Sequence, residues 1–498
     1  MDNIKKRGLF TLNCQRILID IPFGIVFVIC ACFSQIYFLS YISLLGIGIY
    51  FLYLVLFRQD FIIKYLFLIF SALTAIIGDA IIELAPQLYL SELQCYSGFV
   101  GSLPLLVLSH WVLIVVCLNY DAVYGVETRG LLLDFENKNT KQVLKFFTVI
   151  VLILFLALFS KVAAYPAFLM GVDRFEYAAQ YTVSGVLLIV DHISTVLIIF
   201  PILSVLYGNK LLGSLAIILY ALYYLWIGNK FGPFFTLMCM CLLVCYKSIL
   251  KKGKRFLRKV AGVSCIMFFI IFAYAIIFTT SNSNFDVVSY VMQRGAQQGQ
   301  LWWKTYDLSV GTTHQAEFED EFQAIIDNKS IISDNIGSKN GIYRIMYLCA
   351  PEHVVDSKLM TGSRYTEAGH ATVYYYFGSI GVVFFSVIMG FVFALVINSF
   401  LKALNNKDYI KSMIILRFLT FARIGLSMFV FLDFFDFIST VSYLYLLLMW
   451  NRKLRVIFEN GLQFSLVGYI SFSGKTYCMQ DNSQLLNCHA NIAKCREM

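Results

Sequence analysis

Charge is what this chain has least of. Only 14% of its 498 residues are Asp, Glu, Lys or Arg, whereas a soluble globular chain carries roughly a quarter, so a surface wetted on every side is excluded. The thirteen cysteines show no paired zinc spacing. Cys30, Cys32, Cys239, Cys241 and Cys245 lie inside apolar runs, where a thiol acts as a small buried hydrophobe. No internal repeat or low-complexity tract divides the chain. No cleavable signal peptide is recognisable either: Met1 to Arg16 is polar and basic, and the first apolar run is long enough to span, so it reads as a signal anchor.

What is present is apolar surface. The chain is 59% hydrophobic and 16% aromatic, with a mean hydropathy of +0.74. Membrane-length runs fall at about 17–39, 42–57, 61–82, 101–118, 143–164, 183–206, 211–227, 234–246, 261–279, 373–397, 413–431 and 437–450. A net charge of +9 would suggest nucleic acid in a soluble protein. Here the basic residues cluster between apolar runs, most densely at Lys247, Lys251, Lys252, Lys254, Arg255, Arg258 and Lys259, which is the positive-inside pattern of a bilayer protein.

The expectation is an all-α polytopic membrane protein of roughly twelve transmembrane helices with both termini inside. Its one large outside loop lies between the ninth and tenth spans. The segments are an N-terminal bundle (1–279), the loop (280–372), three C-terminal spans (373–455) and a tail (456–498). The tail, with Cys478, Cys488, His489 and Cys495, matches no zinc pattern and reads as loosely ordered.

The loop is too long for a connector. Near its start, Arg294 opens the run Arg294-Gly295-Ala296-Gln297-Gln298-Gly299-Gln300-Leu301-Trp302-Trp303-Lys304. A guanidinium fork matches phosphate, and the two indoles either stack on sugar faces or anchor at headgroup level. Between Thr312 and Ile326, Phe318, Phe322, Ile325 and Ile326 share one helical face. The opposite, acidic face lacks calcium-loop spacing and reads as solvated, on a helix lying at the surface. At the loop's end stands Thr361-Gly362-Ser363-Arg364-Tyr365-Thr366-Glu367-Ala368-Gly369-His370, followed by Tyr374, Tyr375, Tyr376, Phe377, Gly378 and Gly381. Arg364 supplies fixed charge, and Glu367 and His370 can take or give a proton.

An outside loop with arginines, then Gly-Ser-Arg, then a histidine with following aromatics and a Gly-x-x-Gly at the mouth of a span, resembles the Wzy-type O-antigen polymerases and the related O-antigen ligases. In those proteins a motif like His-Asn-x-x-Tyr-Leu-x-x-x-Gly-x-x-Gly closes the large periplasmic loop. This chain offers His370, Tyr374, Gly378 and Gly381, with Ala371 in place of Asn and the glycine pair one residue early. The resemblance implies an inner-membrane, metal-independent glycosyltransferase without cofactor. It would move a growing chain from undecaprenyl diphosphate onto a lipid-linked repeat unit at the periplasmic face, and a chain-length regulator protein is a further partner of such enzymes. It implies Arg294 and Arg364 as diphosphate ligands and His370 as the residue beside the acceptor hydroxyl, with Glu367 second. Arg344 is a further loop arginine, and Asp173, Arg174 and Lys230, in shorter outside loops, are supporting positions.

Several ionisable residues fall inside the spans: Asp79, His110, Asp191, His192, Arg417 and Arg423. Such groups are functional candidates. Arg417 and Lys64 are near enough to a span end to snorkel, whereas Arg423 is too deep, which makes it a further diphosphate ligand. Two other classes stay open: a lipid-linked oligosaccharide flippase, which needs no long outside loop, and a membrane-bound acyltransferase, which would place its histidine deep in a span, at His110 or His192. Ligase and polymerase share the loop chemistry.

Overall fold

An apolar run inside a bilayer has no water to bond and must satisfy its own backbone, which favours helices. The computed structural model describes residues 18–85, 87–125, 138–162, 164–170, 196–229, 232–246, 287–326, 341–360, 364–406, 409–428, 452–457, 463–472 and 475–479, with isolated positions between 172 and 194 and at 249. The ninth and twelfth expected spans, most of the sixth with Asp191 and His192, the basic cluster after the eighth, Asp173 and Lys230 lie outside the described residues.

The bundle comprises α1 (Leu18–Cys32), α2 (Tyr37–Phe57), α3 (Gln59–Leu84), α4 (Leu103–Tyr124), α5 (Lys138–Phe159), the short α6 (Ala167–Met170), α7 (Ile199–Tyr207), α8 (Lys210–Trp226) and α9 (Gly232–Tyr246). A cap of five short helices follows: α10 (Val287–Ala296), α11 (Gln300–Ser309), α12 (Gln315–Ile326), α13 (Ile342–Cys349) and α14 (Glu352–Met360). Then come α15 (Gly369–Asn405) and α16 (Tyr409–Met428). The helices α2, α3, α4, α15 and Lys141–Phe159 of α5 are long and apolar enough to cross a membrane, and α1, α8 and α9 are shorter apolar helices. This is an all-α architecture of the multi-span membrane kind. Leu45, Leu52 and Leu56 on α2 and Ile380, Phe384 and Phe391 on α15 remain exposed, as a lipid-facing surface allows.

The expected tenth span departs from the simple picture. Gly378 interrupts α15 at φ 66°, ψ −162°, and the histidine of the motif, His370, places Nε2 3.3 Å from Ser386 Oγ. Sixteen residues of straight helix would separate them by about 24 Å. The chain therefore turns back on itself at Gly378: the arm 369–377 packs antiparallel against the first turns of the arm 379–405. A Cβ on Gly381 would lie 3.7 Å from Val373 Cγ1, in the same register. The foot of the first arm is about 12 Å below the tip at Gly378, taking eight residues at 1.5 Å each. Gly369 makes the foot's seat, since a Cβ there would collide with the backbone of Leu426 on α16.

Three glycines fix the cap to the bundle. Gly78 on α3 faces Gly295 and Gly299, so closely that a Cβ at Gly78 would meet Gly299 N at 2.6 Å and Gly295 O at 2.7 Å. The Gly/Gln run after Arg294 is thus a packing surface for α3. The cap has its own core of Trp303, Tyr343, Met346, Tyr365, Tyr375 and Tyr376, continued by Ile82, Leu90 and Leu93. A hairpin of β1 (Tyr89–Leu90) and β2 (Cys95–Tyr96) presents Glu92 as a latch. Glu92 accepts from Lys358 Nζ at 2.7 Å, from Gln297 Nε2 at 3.1 Å and from Gln300 Nε2.

At the end of the bundle away from the cap, Lys64 does not snorkel. Its ammonium donates to both oxygens of Asp121 at 2.8 Å and to Asn398 Oδ1 at 2.7 Å. Tyr65, where α3 kinks, donates to the same carboxylate at 2.8 Å. This network ties α3, α4 and α15. Among the described residues at the C-terminal end, β3 (Arg452–Ile457), β4 (Gln463–Phe472) and β5 (Lys475–Met479) pair as an antiparallel meander where the sequence suggests loose order, with Leu454 opposite Leu466 and Ile470 opposite Tyr477.

Candidate functional site

Turning back at Gly378 carries the segment 364–370 down into the bundle. At its lowest part, Glu367 adopts a left-handed backbone, φ 55°, a conformation in which a non-glycine residue is strained. Ser71, midway along α3, donates to Glu367 Oε1 at 2.9 Å. Burial pushes the Glu367 carboxyl up to about 7, while the Ser71 hydrogen bond and the charge of Arg423 pull the other way. A carboxyl poised there can hold or release a proton near neutral pH.

Arg423 enters from α16. Its guanidinium donates to Thr236 on α9 at 3.1 Å and lies over the Phe67 ring at 5.5 Å. It lines a small cleft between α3, α9, α15 and α16, otherwise walled mainly by apolar groups such as Phe67, Leu68, Met240, Leu243, Phe393 and Ile397. Arg423 is thus a fixed cation on the wall of an apolar cleft, and its charge reaches the near-neutral Glu367 carboxyl.

His370, one turn up the arm from Glu367, is 2% exposed. It stands against His110 of α4 with ring centroids 4.5 Å apart, and Phe385 and Trp302 meet it edge-on at 5.5 and 6.5 Å. His110 is 1% exposed. Neither of its ring nitrogens has a hydrogen-bond partner among the described residues. The sequence marks His110 as an intramembrane histidine, but not as the neighbour of His370.

Arg294 and Arg364 lie higher, on the cap. Arg294 is exposed and donates to Gln297 Oε1 at 2.8 Å and to the Tyr290 hydroxyl at 3.1 Å. Arg364 lies over the Tyr343 ring at 5.5 Å. The next residues of that strand reach the same Gln297-Gln298 turn, through Thr366 Oγ1 to Gln298 Oε1 at 3.2 Å. Arg294 therefore borders that turn, and Arg364 stands two residues before the bond that closes on it.

Other candidates are used internally. Trp302 and Trp303 are buried, and their indole N–H groups donate to the carbonyls of Ser102 at 3.2 Å and Gly98 at 2.8 Å. They are neither headgroup anchors nor open stacking faces, because α11 is wedged between bundle and cap. Arg344 is held by Glu317 and Glu321, one turn apart on α12; its Nε donates to Glu321 Oε1 at 2.8 Å and Nη1 to Glu317 Oε2. The acidic face of α12 is correspondingly not simply solvated, since Tyr375 donates to Glu317 at 3.0 Å and Tyr376 to Glu321 at 2.8 Å. Phe318 packs on Tyr376 and Phe377, whereas Phe322 on the same face is exposed. Arg174 Nη1 lies 3.4 Å from Asn229 Oδ1, so the loop of Arg174 meets the turn that leads to Lys230.

A polar cluster that the sequence indicates only through Asp79 lies under the cap. Ser102, at the start of α4, donates its hydroxyl to Asp79 at 2.9 Å and its backbone N–H to Glu83, one turn further along α3. Ser40 adds a bond to Glu83 at 3.2 Å. Among the described residues no group of three or more His, Cys, Asp or Glu side chains could hold a metal ion.

A model of a family of unknown function, DUF6418, matches residues 336–444. The matched segment runs from the cap helix α13 through the re-entrant arm to α16 and beyond, and contains Arg344, Arg364, Glu367, His370 and Arg423. Comparison with curated proteins and with solved structures gave no match.

Proposed function

We propose that the chain is an inner-membrane polysaccharide polymerase, which transfers a growing O-antigen chain from undecaprenyl diphosphate onto the sugar hydroxyl of a lipid-linked repeat unit on the periplasmic face. The observation that carries the proposal is a near-neutral Glu367 carboxyl within electrostatic reach of Arg423, a fixed cation on the wall of an apolar cleft. A polyprenyl chain needs an apolar trough reached from the bilayer. Its leaving diphosphate needs positive charge that cannot protonate it, and the attacking hydroxyl needs a base with a pKa near the working pH. Arg423 supplies the deep charge, and Arg294 and Arg364 supply charge at the entrance.

Of the two proton-accepting candidates, Glu367 is the one that meets the hydroxyl. It is only part-buried, whereas His370 is enclosed by His110, Phe385 and Trp302. The bond changes are those of a single displacement: the acceptor oxygen bonds to the anomeric carbon, its proton passes to Glu367, and the diphosphate leaves with the bonding pair. Substituting Glu367→Gln keeps shape and hydrogen bonding while removing the base, so elongation falls by about 10²–10⁴-fold. The test is the lipopolysaccharide ladder of a deletion strain expressing E367Q at normal membrane level. A single capped repeat unit supports the proposal, and a wild-type ladder overturns it.

A further inference from the structure

A carboxylate that takes a proton from an acceptor hydroxyl has to present one of its two oxygens in a fixed direction. We propose that Ser71 is the positioning residue that sets this direction: its hydroxyl holds Glu367 Oε1, so that Oε2 is the oxygen that receives the proton. The inference rests on the assignment of Glu367 as base. Ser71 stands midway along α3, 296 positions from Glu367 in the sequence, and is 6% exposed. Its donation at 2.9 Å is the one hydrogen bond that the Glu367 carboxyl makes among the described residues.

This is not the bond that a hydroxyl inside a helix usually makes. Such a group ordinarily returns to a carbonyl three or four residues earlier on its own helix. Ser43, Thr74, Ser109, Thr148 and Ser386 all do so. Ser71 instead gives its proton to a segment from the other end of the chain. That segment is gripped on two sides, by α16, whose backbone at Leu426 seats Gly369, and by α3, which holds the Glu367 side chain. Between the two grips lies the left-handed backbone of Glu367, a conformation that persists only where its surroundings over-determine it.

The chemistry follows from the count of protons. Ser71 has one hydroxyl proton and gives it to Oε1, while Oε2 makes no hydrogen bond among the described residues. In the transfer, the acceptor O–H bond breaks and an O–H bond forms at Oε2. Ser71 keeps its own proton, and the displacement is otherwise unaltered. A donor to one oxygen also favours the ionised carboxylate over the acid. Burial opposes ionisation, and the charge of Arg423 on α16 assists it. Ser71→Ala leaves both of those in place and removes the hydrogen bond alone.

The test compares S71A with wild type in liposomes supplied with polyprenyl-diphosphate-linked repeat units, with kcat for elongation followed between roughly pH 6 and pH 9. The proton on Glu367 is followed separately by infrared titration, taking its carboxylic acid C=O band as the difference between each protein and the same protein carrying E367Q. The expected result is a midpoint about one pH unit higher in S71A than in wild type, both in the rate and in the band. Elongation at about pH 7 then falls roughly fivefold, and the loss narrows toward the alkaline end. A band midpoint that does not move overturns the inference. So does a loss of rate by the same factor at every pH, which is the mark of a residue that only packs. If S71A does not fold, S71C, of similar size with a much weaker donor, decides by the same criterion. If wild type itself makes no chains, the proposed function falls, and the infrared midpoint alone decides on Ser71.

Discussion

Replacing Gly378 with alanine has an effect whose sign depends on whether the chain reverses there. The glycine sits at φ 66°, ψ −162°, a region in which a residue bearing Cβ costs of order 1–3 kcal/mol. The added methyl would also come within 3.3 Å of Thr313 Cγ2, a tight contact that a threonine side chain can relieve by shifting slightly. The expected destabilisation is thus about 2 kcal/mol, nearly all from the backbone. Were residues 369–405 one straight helix, the same substitution would instead stabilise by roughly 0.5–1 kcal/mol. Thermal unfolding of the purified protein in detergent separates the two. A companion measurement places cysteines at His370 and Ser386 in a cysteine-free background and treats them with a short bifunctional thiol reagent. A lower melting temperature for G378A together with intramolecular cross-linking supports the re-entrant arm. A raised melting temperature with no cross-link refutes it.

Elongation by the wild type should accelerate as pH rises through about 7, where burial places the Glu367 carboxyl, because only the ionised form takes a proton. A rate that stays flat between roughly pH 6 and pH 8 with chemistry rate-limiting would remove Glu367 from the role of base. Asp121→Asn leaves the Lys64 ammonium buried without its counter-charge and should lower stability by about 3–5 kcal/mol, much of it recovered by adding Lys64→Met; equal melting temperatures for D121N and wild type would show that the pair is not holding the bundle. Arg344→Ala frees Glu317 and Glu321 and should lower the melting temperature while KM for the lipid-linked donor stays unchanged. A large rise in that KM would return Arg344 to the diphosphate site.

The sequence locates the region of interest but not its depth. Charge and hydropathy single out the segment ending in Glu367 and His370, and the structure brings both into the bundle. The reversal at Gly378 is hidden because the apolar run continues unbroken through the turn, and a Gly-x-x-Gly reads equally well as a helix-packing face. Trp302 and Trp303 look available for sugars because indoles interleaved with polar residues also mark surfaces. Their burial follows from the Gly78–Gly295–Gly299 contact, which pairs residues more than two hundred positions apart. The same holds for Arg344, whose partners become visible only when α12 lies across α13. Arg423 is the converse case: the sequence marks an arginine too deep to snorkel, and the structure gives it a place on the wall of an apolar cleft beside Thr236 and Phe67. The tail's composition suggests no core, yet β3, β4 and β5 pair through their backbones in antiparallel register.

In the proposed reaction Glu367 and Arg423 together join lipid-linked repeat units. Its most direct test is purified protein in liposomes given only undecaprenyl-diphosphate-linked repeat units, with no lipid A core, followed by separation of products by chain length. Wild type is expected to give a ladder of lengthening chains on undecaprenyl diphosphate, and neither Glu367→Gln nor Arg423→Lys, which keeps the charge but loses the fork, is expected to give one. A ladder from E367Q, or wild-type protein that makes product only when lipid A core is added, would contradict it.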